Sequence, residues 1–132
     1  MEISTFLNKF NAQAHWLLRI GLAAVFLFHG VTKFFGPAMM GLPGPVWYAL
    51  AAAETLAGVL ILAGPFIGDW ATRIAGLIVV PVMLGAIFMV HLANGFSFMN
   101  NGYEFQLTLV LLGLFFALKG NTINGANRVG MS

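Results

Sequence analysis

The sequence predicts an all-α integral membrane protein in which four spanning helices form a single bundle over residues 1–132. The first observation is a composition with 60% hydrophobic and 8% charged residues and a mean hydropathy of +0.91. A soluble chain of this length could not bury so many apolar side chains, because small folds leave much of their surface exposed. The other two observations are long apolar stretches and short, turn-rich connections, so lipid must cover the apolar surface.

The apolar stretches define the predicted spans. They cover residues 16–35, 46–64, 72–93 and 103–119, and each is near the roughly 20 residues that a helix needs to cross a bilayer. Turn-forming residues separate them, including Gly36-Pro37, Pro65 and Asn100-Asn101-Gly102. Because the connections are short, we expect consecutive helices to be antiparallel neighbours.

The segment before the first span predicts a short helix on the membrane surface. Its apolar residues recur at helical spacing, and Ser4 is a candidate N-cap; the apolar residues are Ile3, Phe6, Leu7 and Phe10. A frayed terminus is the alternative. We expect no removable signal peptide, because no short apolar core precedes a small-residue cleavage site in this segment.

The basic residues predict the orientation. Most of them fall at the end of the predicted bundle that holds both termini: Lys9, Arg19, Arg73, Lys119 and Arg128. Lys33 alone falls at the opposite end. Because basic residues are retained in the cytoplasm, this asymmetry predicts that both termini lie inside. Arg19 and Arg73 are then charges of the inner side, and Arg73 is simplest to interpret as an anchor.

Ionisable residues inside the spans predict a polar chamber. Each costs about 2.5 to 3.5 kcal/mol near the centre of a membrane helix, so we expect such residues to meet inside the bundle. Helical spacing and depth bring five of them toward the outer half, where they form a candidate pocket for ligand binding or proton handling: His29, Lys33, Glu54, His91 and Glu104. Glu54 must pair with a cation, either Lys33 or Arg19, or become neutral.

A structural explanation stays open for most of these residues. Lys33 could extend to the outer head groups, and His91 could bond the last carbonyls of its own helix. Glu104 is favourable as a negative charge at a helix start. Arg19 could bond backbone carbonyls or reach a lipid phosphate.

Several functions are disfavoured by the sequence. The absence of cysteine excludes disulfides, thiolate-bound metal clusters and covalently attached haem. The six Lys and Arg residues form no run that would follow a nucleic-acid backbone. A b-type haem between His29 and His91 is disfavoured because Lys33 and Glu54 crowd the same space. No recognisable metal-ligand motif is present, so no metal site is predicted.

An ordered set of motifs resembles the DoxX family of membrane proteins, which is related to the small subunit of thiosulfate:quinone oxidoreductase. The resemblance covers about residues 17–120 and rests on Arg19, Phe28-His29-Gly30-Val31-Thr32-Lys33-Phe34-Phe35-Gly36, Glu54-Thr55-Leu56-Ala57-Gly58, Leu62-Ala63-Gly64, Arg73, His91 and Glu104. The chain departs from many relatives at its C-terminus. Where they carry Gly-Pro-Gly and then Ser-x-Asp, it reads Lys119-Gly120-Asn121-Thr122-Ile123-Asn124-Gly125.

The resemblance implies a multi-pass protein of the bacterial inner membrane with redox partners. The first hypothesis is an accessory or membrane subunit of an oxidoreductase system, with a quinone head group beside His29, Lys33 and Glu54 and a flavin or partner protein as electron carrier. The alternative is a small-solute carrier or assembly factor without redox chemistry. A carrier of this size would need to form a homo-oligomer. Loss of solute uptake in Glu54→Gln with intact electron transfer would favour that alternative.

Overall fold

The computed structural model describes residues 2–124, which are helical with no strand in that range. Its α-helices, numbered in chain order, are α1 Ile3–Asn8, α2 His15–Lys33, α3 Gly44–Ile67, α4 Asp69–Ala86 and α5 Glu104–Lys119. Helix α4 continues through a π-helical turn, Ile87–His91, and a 3-10 turn, Leu92–Asn94. Further 3-10 turns cover Asn11–Gln13, Phe98–Asn100 and Gly120–Ile123.

Four helical segments are long and apolar enough to cross a membrane. They run Asn11–Lys33, Gly44–Ile67, Asp69–Asn94 and Glu104–Ile123. Their number and order confirm the predicted four-helix architecture, and the chain is a multi-pass membrane protein. The orientation stays a prediction, and Arg128, on which part of it rests, lies outside the described residues together with Gly125.

The second span differs from its predicted bounds because α3 continues through Pro65 to Ile67. Proline has no N–H, so the carbonyl of Ile61, four residues earlier, loses its helical donor. Arg19 Nη1 donates to that carbonyl at 2.8 Å. A proline in the last turn is therefore accommodated, since a side chain of another helix supplies the missing hydrogen bond.

The core lies between consecutive helices. The main contacts join α2 with α3, α3 with α4 and α4 with α5, whereas α2 touches α5 only slightly. The fully buried side chains in this core include Leu22, Phe26, Ile61, Val79 and Phe116. Gly76 brings α4 against the backbone of α5 so closely that a Cβ there would overlap Gly113 and Ala117. Such small residues allow close helix packing where hydrophobic driving force is weak.

The antiparallel order defines two ends of the bundle. The connections 34–43 and 95–103 lie at what we call the loop end. The start of α2, the turn between α3 and α4, and the end of α5 lie at what we call the termini end. Every site below belongs to one of these two ends.

The predicted N-terminal helix is present as α1. All of its residues are exposed, including Ile3, Phe6 and Leu7. Glu2 is its N-cap residue, and no side chain caps it, so Ser4 lies in the first turn and not at the predicted cap position. The exposed apolar face is what contact with a membrane surface requires.

Candidate functional site

Lys33 and Glu54 form a buried ion pair at the loop end. Lys33 Nζ lies 2.8 Å from Glu54 Oε2, and the two side chains are 12% and 6% exposed. Lys33 Nζ also donates to the His29 carbonyl at 3.2 Å and lies 5.3 Å from the centre of the Trp47 ring. The cation that Glu54 requires is therefore Lys33 and not Arg19, and Lys33 does not extend away to the head groups.

A cavity of about 210 Å³ lies beside this pair. Its lining includes Lys33, His29, Thr32, Met39 and Trp47. The Trp47 ring is buried, and its Nε1 donates to the Lys33 carbonyl at 3.2 Å, which fixes the ring at the end of α2. The cavity therefore combines hydrogen-bond donors on α2 with an aromatic wall from α3. Trp47 was not among the predicted site residues, although it lies two residues after Pro43-Gly44-Pro45.

His91 and Glu104 occupy a different place at the loop end. They line a cavity of about 560 Å³ between the end of the third span and the start of α5. His91 Nδ1 lies 2.8 Å from the Asn101 carbonyl, and Glu104 Oε1 accepts a hydrogen bond from Phe98 N–H at 2.7 Å. Both side chains thus bond the loop between α4 and α5. His91 does not bond the last carbonyls of its own helix, whereas Glu104 also lies in the first turn of α5, where a negative charge is favourable.

The five predicted pocket residues are consequently divided between two cavities instead of sharing one chamber. His29 and Lys33 line the smaller cavity, with Glu54 paired to Lys33, while His91 and Glu104 line the larger. The physical reason is the packing order, because α2 contacts α3 extensively and α5 only slightly. Sequence periodicity predicted the helix face and the depth of each of these residues, but it did not predict which other helix packs against that face.

Arg19 is the centre of a second polar cluster, at the termini end. The side chain is fully buried, and each of its five N–H donors reaches an acceptor within the described residues. The acceptors are His15 Nδ1 at 2.8 Å, the Ile61 carbonyl at 2.8 Å, Thr72 Oγ1 at 2.9 Å, Asn121 Oδ1 at 3.1 Å and Asn124 Oδ1 at 2.8 Å. The guanidinium also lies 5.3 Å from the centre of the Phe116 ring. Arg19 therefore joins all four spans.

Only part of this cluster was predicted from the sequence. A backbone carbonyl was among the expected partners of Arg19, but Thr72, Asn121 and Asn124 were missed. The i, i+4 spacing of His15 and Arg19 and the donor removed by Pro65 were available signals. The C-terminal segment that departs from many relatives is the part that supplies both asparagines.

Arg73, which the sequence suggested was an anchor, bonds the end of α5. Its Nη1 donates to the Ala117 carbonyl at 3.0 Å and the Leu118 carbonyl at 2.7 Å, which are carbonyls that a helix end leaves without partners. Its Nε pairs with Asp69 at 2.6 Å. Arg73 thereby attaches the start of α4 to the end of α5.

The fold and these sites define a class, that of small multi-pass helical membrane proteins with paired and bonded charges inside the bundle. The model of the DoxX family matches residues 14–92, and the chain belongs to that family. The chain is 36% identical over 122 residues to "Putative oxidoreductase CatD" of Bacillus subtilis, covering 87% of this chain and 85% of that protein. It is 32% identical over 123 residues to an uncharacterized protein of Haemophilus influenzae, covering 86% and 88%. No solved structure matches it.

Proposed function

We propose that this protein is a membrane component of an oxidoreductase system in the bacterial inner membrane and that it binds the head group of a membrane quinone beside Lys33 and Glu54. The observation that carries the proposal is the buried Lys33–Glu54 pair, joined at 2.8 Å and adjacent to a cavity of about 210 Å³. The name of the Bacillus subtilis relative supports the redox context. The family resemblance supports the link to quinone.

The residues around the smaller cavity fit a quinone head group. A quinone carbonyl needs a hydrogen-bond donor, and Lys33 Nζ and the His29 ring are donors on the same face of α2. The Trp47 ring and Met39 offer apolar surface for the flat ring of the head group. Donors at one side and apolar walls at the other are the usual composition of a small-molecule site.

The Lys33–Glu54 pair supplies the proton chemistry in this proposal. A bound quinone would accept two electrons and two protons to become a quinol. Lys33 would bond one quinone carbonyl oxygen and give it the first proton, Glu54 would carry a replacement proton to Lys33, and the other carbonyl oxygen would take the second proton from water. The electrons come from a partner protein or from a flavin bound to one, because quinone reduction needs a separate electron donor.

Binding is tested by the fluorescence of Trp47 with decylubiquinone as the probe. The Trp16→Phe/Trp70→Phe variant in lipid nanodiscs retains Trp47 as its single tryptophan, and we expect saturable quenching. Adding Lys33→Gln should weaken binding about tenfold, because a charge-assisted hydrogen bond is lost. Lys119→Gln is the matched control at the termini end and should leave the affinity unchanged. Linear quenching, or equal affinity in Lys33→Gln and the control, contradicts the proposal.

The redox context is tested separately in native membranes. The protein is purified in mild detergent, and co-purifying polypeptides and extractable quinones are identified by mass spectrometry. We expect a redox protein and quinone to accompany the wild type, and deletion of the protein to slow quinone reduction by the membranes. The role is excluded if neither a redox protein nor quinone co-purifies with the protein and its deletion leaves quinone reduction by the membranes unchanged.

A further inference from the structure

The larger cavity at the loop end has no part in the proposed quinone site. At about 560 Å³ it is more than twice the about 210 Å³ of the smaller cavity, and the two have no lining residue in common. It opens between the π-helical turn that follows α4 and the first two turns of α5. Single π-helical turns inside helices are frequent at functional sites. The residues that decide its chemistry are His91, Phe98, Glu104, Phe105, Gln106 and Thr108.

Several side-chain groups that line this cavity carry acceptors. Glu104 brings a negative charge, and since Oε1 accepts from Phe98 N–H at 2.7 Å, Oε2 is left for a ligand. Gln106 Oε1 is buried and has no hydrogen-bond partner within residues 2–124. A buried acceptor without a donor is costly, so this oxygen favours a ligand that brings an N–H or O–H.

His91 adds a third acceptor. The Asn101 carbonyl can only accept, so His91 Nδ1 must carry the proton of the hydrogen bond between them at 2.8 Å. In the tautomer with its proton on Nδ1, the other ring nitrogen, Nε2, is an acceptor. The lining includes neither lysine nor arginine to neutralise Glu104. The cavity is therefore built to attract a donor with positive charge.

Two phenylalanines complete the lining. Phe98 and Phe105 present aromatic surface, which is attractive both to a cation and to an apolar group. Glu104 holds Phe98 in place through the backbone bond described above. A metal ion would not use these rings, and within the described range no group of three or more His, Cys, Asp or Glu comes together.

The loop that carries Phe98 is held by its own backbone hydrogen bonds. Gly102 N–H donates to the Ser97 carbonyl at 2.8 Å, Tyr103 N–H to the Gly95 carbonyl at 3.0 Å and Glu104 N–H to the Phe96 carbonyl at 2.9 Å. Gly102 is so tightly packed against this loop that a Cβ would overlap its carbonyls. The site is thus preorganised, which lowers the entropic cost of binding.

We propose that this second cavity binds a small organic ammonium ion. The N–H donors of the ion would bond Glu104 and Gln106, and its carbon skeleton would contact Phe98 and Phe105. The proposal is independent of the quinone site, since each cavity has its own lining.

The probe is benzylammonium, and binding is measured by calorimetry with the full-length protein in phosphatidylcholine nanodiscs. Benzyl alcohol is the neutral probe of the same shape. We expect saturable binding of benzylammonium and at least about tenfold weaker binding of benzyl alcohol, because the charge-assisted bonds are lost. Equal affinity for the two probes would overturn the proposal, as would displacement of benzylammonium by equimolar Zn²⁺.

Variants of the two acceptors assign the site. Glu104→Gln retains an oxygen for Phe98 N–H but removes the charge, so benzylammonium should bind about tenfold more weakly at an unchanged melting temperature. Gln106→Glu adds a charge and should bind it several-fold more tightly, a gain that misfolding cannot produce. Glu2→Gln, on the exposed N-terminal segment, is the matched control. Unchanged affinity in both cavity variants would refute the assignment.

Discussion

Arg19 at the termini end bonds all its donors to the protein, whereas Lys33 and Glu54 at the loop end bond each other beside an open cavity. The first arrangement leaves no donor for a guest. The second leaves Lys33 with further hydrogen-bonding capacity at a cavity wall. Arg19 and the Lys33–Glu54 pair, although both buried, thus have different roles. A charged group that keeps an unused hydrogen-bond donor beside a cavity is a candidate binding site, whereas one whose donors are all bonded to the protein is structural.

The largest expected effect comes from removing the Arg19 guanidinium. Arg19→Leu removes the Arg19 donor from the Ile61 carbonyl, Thr72 Oγ1 and Asn124 Oδ1 and one of the donors from Asn121 Oδ1, so we expect a loss of about 3 to 5 kcal/mol in the free energy of unfolding. Arg19→Lys should recover only part of it, because an ammonium has three donors and lacks the planar fork. Reversible unfolding in mixed micelles measures both. A loss under about 1 kcal/mol would contradict the structural role.

Breaking the loop-end pair should cost less. Lys33→Met leaves Glu54 buried and unpaired, and we expect a loss of about 3 kcal/mol. The double variant Lys33→Met/Glu54→Met should be more stable than either single variant, since no uncompensated charge remains. A double-mutant cycle measures the coupling. Additive losses would show that the two side chains do not stabilise each other.

A methyl group beside the Arg19 cluster tests how tightly that end is packed. A Cβ on Gly64 would overlap Thr72 Oγ1 and lie 3.2 Å from Arg19 Nη1, so Gly64→Ala should cost about 2 kcal/mol. Gly21→Ala is the matched control, because a Cβ there meets nothing within 4 Å. It should be neutral or slightly stabilising. Equal melting temperatures for the two variants would mean that the close approach at Gly64 is absent.

The smallest expected effect is at Arg73, which is partly exposed. Arg73→Gln removes the pair with Asp69 and the bonds to the Ala117 and Leu118 carbonyls, for a loss of about 1 kcal/mol after solvent screening. The melting temperature of Arg73→Gln should be well above that of Arg19→Leu. The reverse order would show that the exposed end of α5, and not the Arg19 cluster, determines stability.

The fold could be predicted because hydropathy reports directly on contact with lipid. The four spans and their order follow from the apolar stretches, and the pairing of Glu54 follows from the cost of a lone charge in hydrocarbon. The predicted end of the second span, at residue 64, was three residues too early because Pro65 was interpreted as a helix end. A proline in the last turn does not end a helix when another group replaces its missing hydrogen bond, as Arg19 does here.

The candidate site could be predicted only in part. Opposite charge limited the cationic partner of Glu54 to Lys33 or Arg19, and the structure shows that it is Lys33. Thr72 and Asn121 carry no charge, and their bonds to Arg19 join residues 53 and 102 positions apart, which no local pattern reports. The separation of His91 and Glu104 from Lys33 depends on which helices touch, and short connections do not determine that.

The bonds from Arg19 to Asn121 and Asn124 constrain how the chain is assembled. A ribosome adds those asparagines 102 and 105 residues after Arg19. During that interval the guanidinium must find substitutes, and phosphates or water at the nearby membrane surface are the available ones. The closing of the bundle is therefore a late event, in which asparagines at the end of the fourth span draw a charge of the first span into the interior.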